Sequence, residues 1–174
     1  LRLGGDAFIY PSDGCDIAYM TGFSGLSIGT KIRCFEGKGA IPAVSVLADF
    51  ALPKTASKGF NVDHIAPSLY LLFENPVCEW VNIGYNVGAE WDGTQPSPTT
   101  FAALCLSFCA TERLGCFVES YNYFNKLGNA YAMDFGLNWM IGSRVQLDIA
   151  ANIDLTNPGQ CWAISCGAVW QINR

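Results

Sequence analysis

Histidine, long apolar runs and charge are all scarce in this chain, and each scarcity closes off a class of protein. The only histidine is His64, beside Asp63 in a polar segment. An outer-membrane hydrolase needs a nucleophile with a base, usually Ser with His. A solvated loop histidine does not supply that pair, so no catalytic residue is assigned. No CxxC pair occurs, and one histidine does not complete a zinc set, so no metal is expected. Gly22, Gly25 and Gly29 lack the GKS or GKT ending and the helix of a phosphate loop, so no cofactor is expected. Apolar runs are short, Leu69 to Phe73 being typical. A membrane helix needs about 18 apolar residues in a row. Charged residues make up only 14%, against a usual share of about 25%. The net charge of −5 comes with no basic stripe, which excludes a nucleic-acid partner. The acidic residues are scattered rather than gathered into a tail.

What the chain has in abundance is alternation. Hydrophobic residues make up 51% of its 174 positions. From Val145 to Asp154, one face carries Val145, Leu147, Ile149, Ala151 and Ile153, while the other carries Gln146, Asp148, Ala150, Asn152 and Asp154. Period-2 segments of this kind predict strands. They run over Leu1 to Tyr10, Ser24 to Phe35, Ala43 to Leu52, Ile65 to Glu74, Glu79 to Trp91, Phe101 to Ala110, Cys116 to Phe124, Tyr131 to Met140, Val145 to Asp154 and Cys161 to Asn173. Turns are expected at Gly37 to Gly39, Asn75-Pro76, Thr111 to Gly115 and Gly142 to Arg144, and longer loops at Pro11 to Asp16, Pro53 to His64, Asp92 to Thr100, Asn125 to Ala130 and Leu155 to Gln160.

Short and long connections therefore alternate, as in outer-membrane barrels with short periplasmic turns and longer outer loops. Trp80, Trp91, Tyr131, Trp139, Trp162 and Trp170 fall near strand ends, where interfacial aromatic girdles sit. In a bilayer without long apolar helices, only a closed barrel satisfies every backbone group. The expected fold is all-β: one antiparallel transmembrane β-barrel domain over residues 1–174, with about ten strands in this chain. The opening Leu1 to Asp6 reads as mid-strand sequence, so a preceding N-terminal piece is expected. A soluble lipocalin-like carrier is the competing reading, and it would reverse the faces.

The polar faces give a candidate lumen set: Lys31, Arg33, Asp49, Glu74, Asn82, Asn86, Glu90, Glu119, Asp134, Gln146, Asp148 and Asn152. Lys31 and Arg33 are the basic residues well inside strands, and they are expected to ion-pair across the lumen. Two outcomes stay open: the set lines a water-filled path that selects solutes, or it pairs with itself and plugs a narrow barrel. Glu119 shares its face with Phe117, Tyr121 and Tyr123, which leaves the phase of that strand ambiguous. Eight cysteines allow disulfides in an exported protein, but most lie within apolar strands, where Cys acts as a small apolar filler.

Thr21 to Lys31, Leu52-Pro53, Gly84 to Gly88, Gly115 to Tyr121 and Gln146 to Asp148 occur in an order and spacing that resemble the outer-membrane transporter-like proteins grouped as the MetA-pathway phenol degradation family, in their Bacteroidetes form. The resemblance implies a β-barrel of the Gram-negative outer membrane that passes small, often aromatic, solutes. An accessory barrel with a plugged lumen in a larger envelope assembly is the alternative. The implied partners are outer-membrane lipid, a small-molecule solute and envelope proteins. The chain departs from the family pattern in having fewer leading strands, so that the resemblance implies about twelve strands in the complete barrel, in ending at Arg174 rather than an aromatic, and in carrying Cys where Ser or Ala is usual.

Overall fold

The structure is a computed structural model that describes residues 2–5, 7–11, 19–58, 61–126, 128–156 and 162–170. An extended chain turns successive side chains to opposite faces, and here twelve such segments form one antiparallel sheet. β1 (Arg2–Gly4) and β2 (Ala7–Pro11) are halves of one stave; β3 (Tyr19–Phe23) and β4 (Ser27–Phe35) are halves of the next. The remaining staves are β5 (Ala43–Ala51), β6 (Ala66–Cys78), β7 (Val81–Glu90), β8 (Thr99–Cys109), β9 (Leu114–Asn125), β10 (Gly128–Ile141), β11 (Val145–Asp154) and β12 (Trp162–Trp170). β1 pairs with β4, while β2 pairs with both β3 and β12. The first stave therefore joins the two ends of the sheet, giving a barrel of about ten staves.

The second stave breaks at Ser24-Gly25-Leu26, where Gly25 takes φ +94°, a conformation that a side chain would strain. The loop after β5 supplies the missing backbone partners. Thr55 Oγ1 accepts the Leu26 N–H at 2.8 Å, and Ser57 Oγ accepts the Phe23 N–H at 2.9 Å. Among the described residues, the closing seam is short: β12 meets β2 from Ile164↔Ile9 to Cys166↔Ala7.

At one end of the barrel the connections are tight: Glu36 to Pro42, Glu79-Trp80, Ala110 to Arg113 and Gly142 to Arg144. At the other end, here the mouth, Leu52 to Ile65 and Trp91 to Pro98 form longer loops. Two expectations need correction. Asn75-Pro76 does not turn the chain: β6 runs on to Cys78, Asn75 pairs with Ile83, and the register shifts between Pro76 and Cys78. A β-bulge tolerates a proline that cannot donate to the ladder. Asn125 to Ala130 is not a loop either. β9 and β10 remain paired as far as Asn125↔Gly128, and the Gly128 N–H donates to Asn125 Oδ1 at 3.1 Å. Among the described connections, the long-short alternation thus fails at this hairpin. The expected gap at Pro11 to Asp16 and the end of the last strand beyond Trp170 lie largely outside the described residues.

The faces are sorted the other way round from a soluble sandwich. Among the described residues, Ala66 and Ala103 are the only buried apolar side chains, and no large side chain is fully buried. Ile28, Ile32, Leu69, Leu71, Val87, Leu104, Phe135, Leu137, Ile149 and Ile164 are exposed on the outer face. A belt of this size marks a surface made for lipid. Trp80, Trp139 and Trp170 lie toward the tight-turn end, and Trp91, Tyr131 and Trp162 toward the mouth, as two interfacial girdles require. The six described cysteines, Cys34, Cys78, Cys105, Cys109, Cys116 and Cys166, are free thiols.

Candidate functional site in the barrel lumen

Strand register places the residues of the candidate set on one common face of the sheet. Lys31 stands beside Leu47 and, through it, Tyr70; Arg33 stands beside Ser45; Asp49 beside Gly29 and Ser68. Glu74 and Asn86 face Gly84 and Ala103, and Glu90 faces Ser68 and Thr99. Asn82 sits between Pro76 and Ser107. Glu119 pairs with Cys105 on one side and Asp134 on the other, which fixes the phase of β9. Asp134 in turn pairs with Asn152, while Asp148 and Gln146 pair with Gly167 and Val169.

These side chains do not form one site. Toward the tight-turn end, Lys31 Nζ donates to Glu74 Oε1 at 3.3 Å and Arg33 Nη2 donates to Glu74 Oε2 at 3.4 Å. Arg33 Nη1 also reaches Glu36 Oε2 at 3.2 Å. The expected ion pairs exist, but they run along one wall rather than across the lumen: β6 is only two strands from β4. All these groups are more than a third exposed, so each pair contributes about 0–1 kcal/mol.

Nearer the mouth, carboxylates and rings share the wall that continues from β6 to β11. Tyr70 Oη donates to Glu90 Oε1 at 2.7 Å. Asp134 Oδ1 accepts from Tyr121 Oη at 3.2 Å and from Asn152 Nδ2 at 2.8 Å, and Asn152 Nδ2 also meets Tyr121 Oη. Phe101 lies 5.6 Å from Tyr70 and 5.3 Å from Tyr123, and Tyr121 meets Tyr123 edge-on at 5.8 Å. The sequence reading left Tyr121 and Tyr123 open with the phase of β9 and did not single out Tyr70 or Phe101. Inward aromatics look like outward ones when periodicity is the only guide. The signal that finds them is glycine on the neighbouring strand: Tyr70 faces Gly88 and Phe117 faces Gly136. Each ring covers the space that the glycine's absent Cβ would fill.

The same arrangement recurs where Asp49 meets Gly29, Asn138 meets Gly115 and Asp148 meets Gly167. Side chains that lean over a glycine lie along the wall instead of reaching for the axis. The space left is substantial. One cavity of about 950 Å³ is lined jointly by Lys31, Asp49 and Tyr70 from one side of the sheet order and by Gln146, Asp148 and Val169 from the other. Among the described residues, no group of three His, Cys, Asp or Glu side chains is arranged to hold a metal.

Two solved porin structures share this architecture. A KdgM porin superposes with a TM-score of 0.56 at 8% identity, covering 98% of this chain and 99% of that one. A KdgM porin in complex with disordered oligogalacturonate gives a TM-score of 0.53 at 8% identity, covering 99% and 100%. At such identity the likeness shows the fold alone, that of an antiparallel β-barrel. Among curated proteins, none matches the chain. The family described as "Putative MetA-pathway of phenol degradation" matches residues 7–170, nearly the whole barrel, and the chain belongs to that family.

Proposed function

We propose that the barrel is a passage for small solutes across the bacterial outer membrane, lined by the twelve polar residues of the candidate set. The observation that supports this reading is the cavity of about 950 Å³ lined by inward residues of β4 to β6 and of β11 and β12, beside inward side chains that lie over glycines. The apolar belt and the two aromatic girdles make outer-membrane lipid its surrounding partner.

The lining also supports a choice of sign. Among the described inward side chains, Lys31 and Arg33 stand against Asp49, Glu74, Glu90, Glu119, Asp134 and Asp148. An excess of carboxylates in a confined aqueous path favours cations. The oligogalacturonate carried by the KdgM structure is a polyanion, and this lumen is ill suited to one. In planar bilayers under a potassium chloride gradient, the protein should conduct, with a reversal potential on the cation-selective side. A folded barrel that gives no conductance and no liposome swelling with small neutral solutes would leave the alternative of an accessory barrel in an envelope assembly. Anion selectivity would refute the proposed lining.

A further inference from the structure

We infer that the mouth half of the lumen holds a binding site for an organic cation that carries an aromatic ring; this rests on the passage proposed above but is measured separately from it. The site is a cleft of about 380 Å³ on the wall built by β6 to β10, within the range of small-ligand pockets. Its faces are the rings of Tyr70, Phe101, Tyr121 and Tyr123, drawn from β6, β8 and β9. Gly88 of the intervening β7 lets the Tyr70 ring fold over that strand and reach Phe101. Two ring pairs meet at steep angles, 85° for Tyr70 with Phe101 and 85° for Tyr121 with Tyr123, while Phe101 is tilted by 52° to Tyr123 and by 36° to Tyr121. Together they form a corner rather than a flat stack. A corner of π faces is the geometry that surrounds an ammonium group.

Among the described residues, no cation compensates the charge at the corner. Glu90, Glu119 and Asp134 line the cleft, and no Lys or Arg does. Lys31 and Arg33 are held by Glu74 and Glu36. Glu119 stands directly across from Asp134, and among the described residues it makes no hydrogen bond or ion pair. By contrast, Glu90 and Asp134 each accept from a tyrosine of the corner. Two like charges at adjacent ladder positions repel, and a cation seated between them removes the repulsion. A neutral aromatic would gain the rings and none of this. An anion would meet three carboxylates. A solute with both a ring and an ammonium group uses the whole lining.

Calorimetric titration of the full-length protein in detergent micelles tests the site. Benzyltrimethylammonium, tetramethylammonium and benzyl alcohol serve as probes of ring plus charge, charge alone and ring alone. Benzyltrimethylammonium should bind at least about tenfold more tightly than either of the others. Glu119→Gln and Tyr123→Leu should each weaken it by about fivefold or more, while Glu112→Gln, in a tight turn away from the cleft, should not. Equal affinity for the ammonium and the alcohol would overturn the inference, as would a Glu119→Gln protein that still shows the heat-modifiable gel shift of a folded barrel and binds unchanged. Bilayer conductance is read alongside. Conduction without benzyltrimethylammonium binding sinks the site and leaves the passage standing; binding without conduction does the reverse.

Discussion

The ring of Tyr70 lies across Gly88, its register partner on the neighbouring strand, and occupies the place where any other residue would carry a Cβ. The wall at this point is made by a pair. The glycine sets where the tyrosine can lie, and the tyrosine hydroxyl then reaches Glu90 one row away. Gly88→Ala should push the ring off the wall and toward the axis. The expected loss is about 1–3 kcal/mol in stability from overpacking, with a lower single-channel conductance. A Tyr70→Ala, Gly88→Ala double variant should recover the conductance, and recordings of the three proteins check this.

Leu137 and Ile149 are register partners on the outer face, each 51% exposed in the isolated barrel. Leu137→Arg should cost about 2–4 kcal/mol in urea titrations of folding into lipid vesicles. Gln146→Arg, on the inner face, should cost far less. A similar penalty for both would mean that the faces have been assigned wrongly.

Glu74 holds both strand cations. Glu74→Gln should leave stability within about 1–2 kcal/mol of the parent, because these exposed pairs contribute little. Selectivity should move much more, since two cations are then unmatched. Reversal potentials should shift toward anions, and an unchanged potential would count against this part of the lining.

Thr55 latches the loop after β5 onto the broken second stave, accepting from the Leu26 N–H and donating to the Leu52 carbonyl, each at 2.8 Å. Thr55→Val keeps the shape and removes both bonds. It should cost about 0.5–2 kcal/mol and speed amide hydrogen exchange at Leu26 and Phe23. Exchange unchanged at both positions would show that the latch does not hold the break.

Asp92 Oδ1, in the loop after β7, accepts the backbone N–H groups of Gln95 and Thr94, each at 2.8 Å. Those bonds, Gln95 foremost, hold its carboxyl below the ordinary carboxylate range. A depressed value means that the turn is supported above the unfolded-chain pKa, and that the support is lost as pH falls through the folded one. Acid titration followed by amide chemical shifts should show Thr94 and Gln95 moving together, with a midpoint below that of a free aspartate.

How far the sequence could be read depends on what separates neighbouring positions. From Val145 to Asp154 every second residue differs sharply in polarity, and the strand in the structure covers the same span with the same faces. From Cys116 to Phe124 the inner face is itself aromatic, so Phe117, Tyr121 and Tyr123 mimic a lipid-facing row; only pairing with Asp134 fixes the phase. Asn75-Pro76 and Asn125 to Ala130 carry strong local turn chemistry, and in both places cross-strand pairing overrides it. The candidate set was visible because polarity alternates. The rings beside it needed the partners of Gly88 and Gly136, which are relations between strands and not within one.

The near-absence of fully buried side chains described above bears on how such a protein can change. A barrel wall is one residue thick, and the residues on its two sides share few contacts. Substitutions without common partners act almost independently. The inner surface can therefore be rewritten for a new cargo while the outer surface keeps the fold seated in its bilayer, a freedom that a domain built around a shared interior does not have.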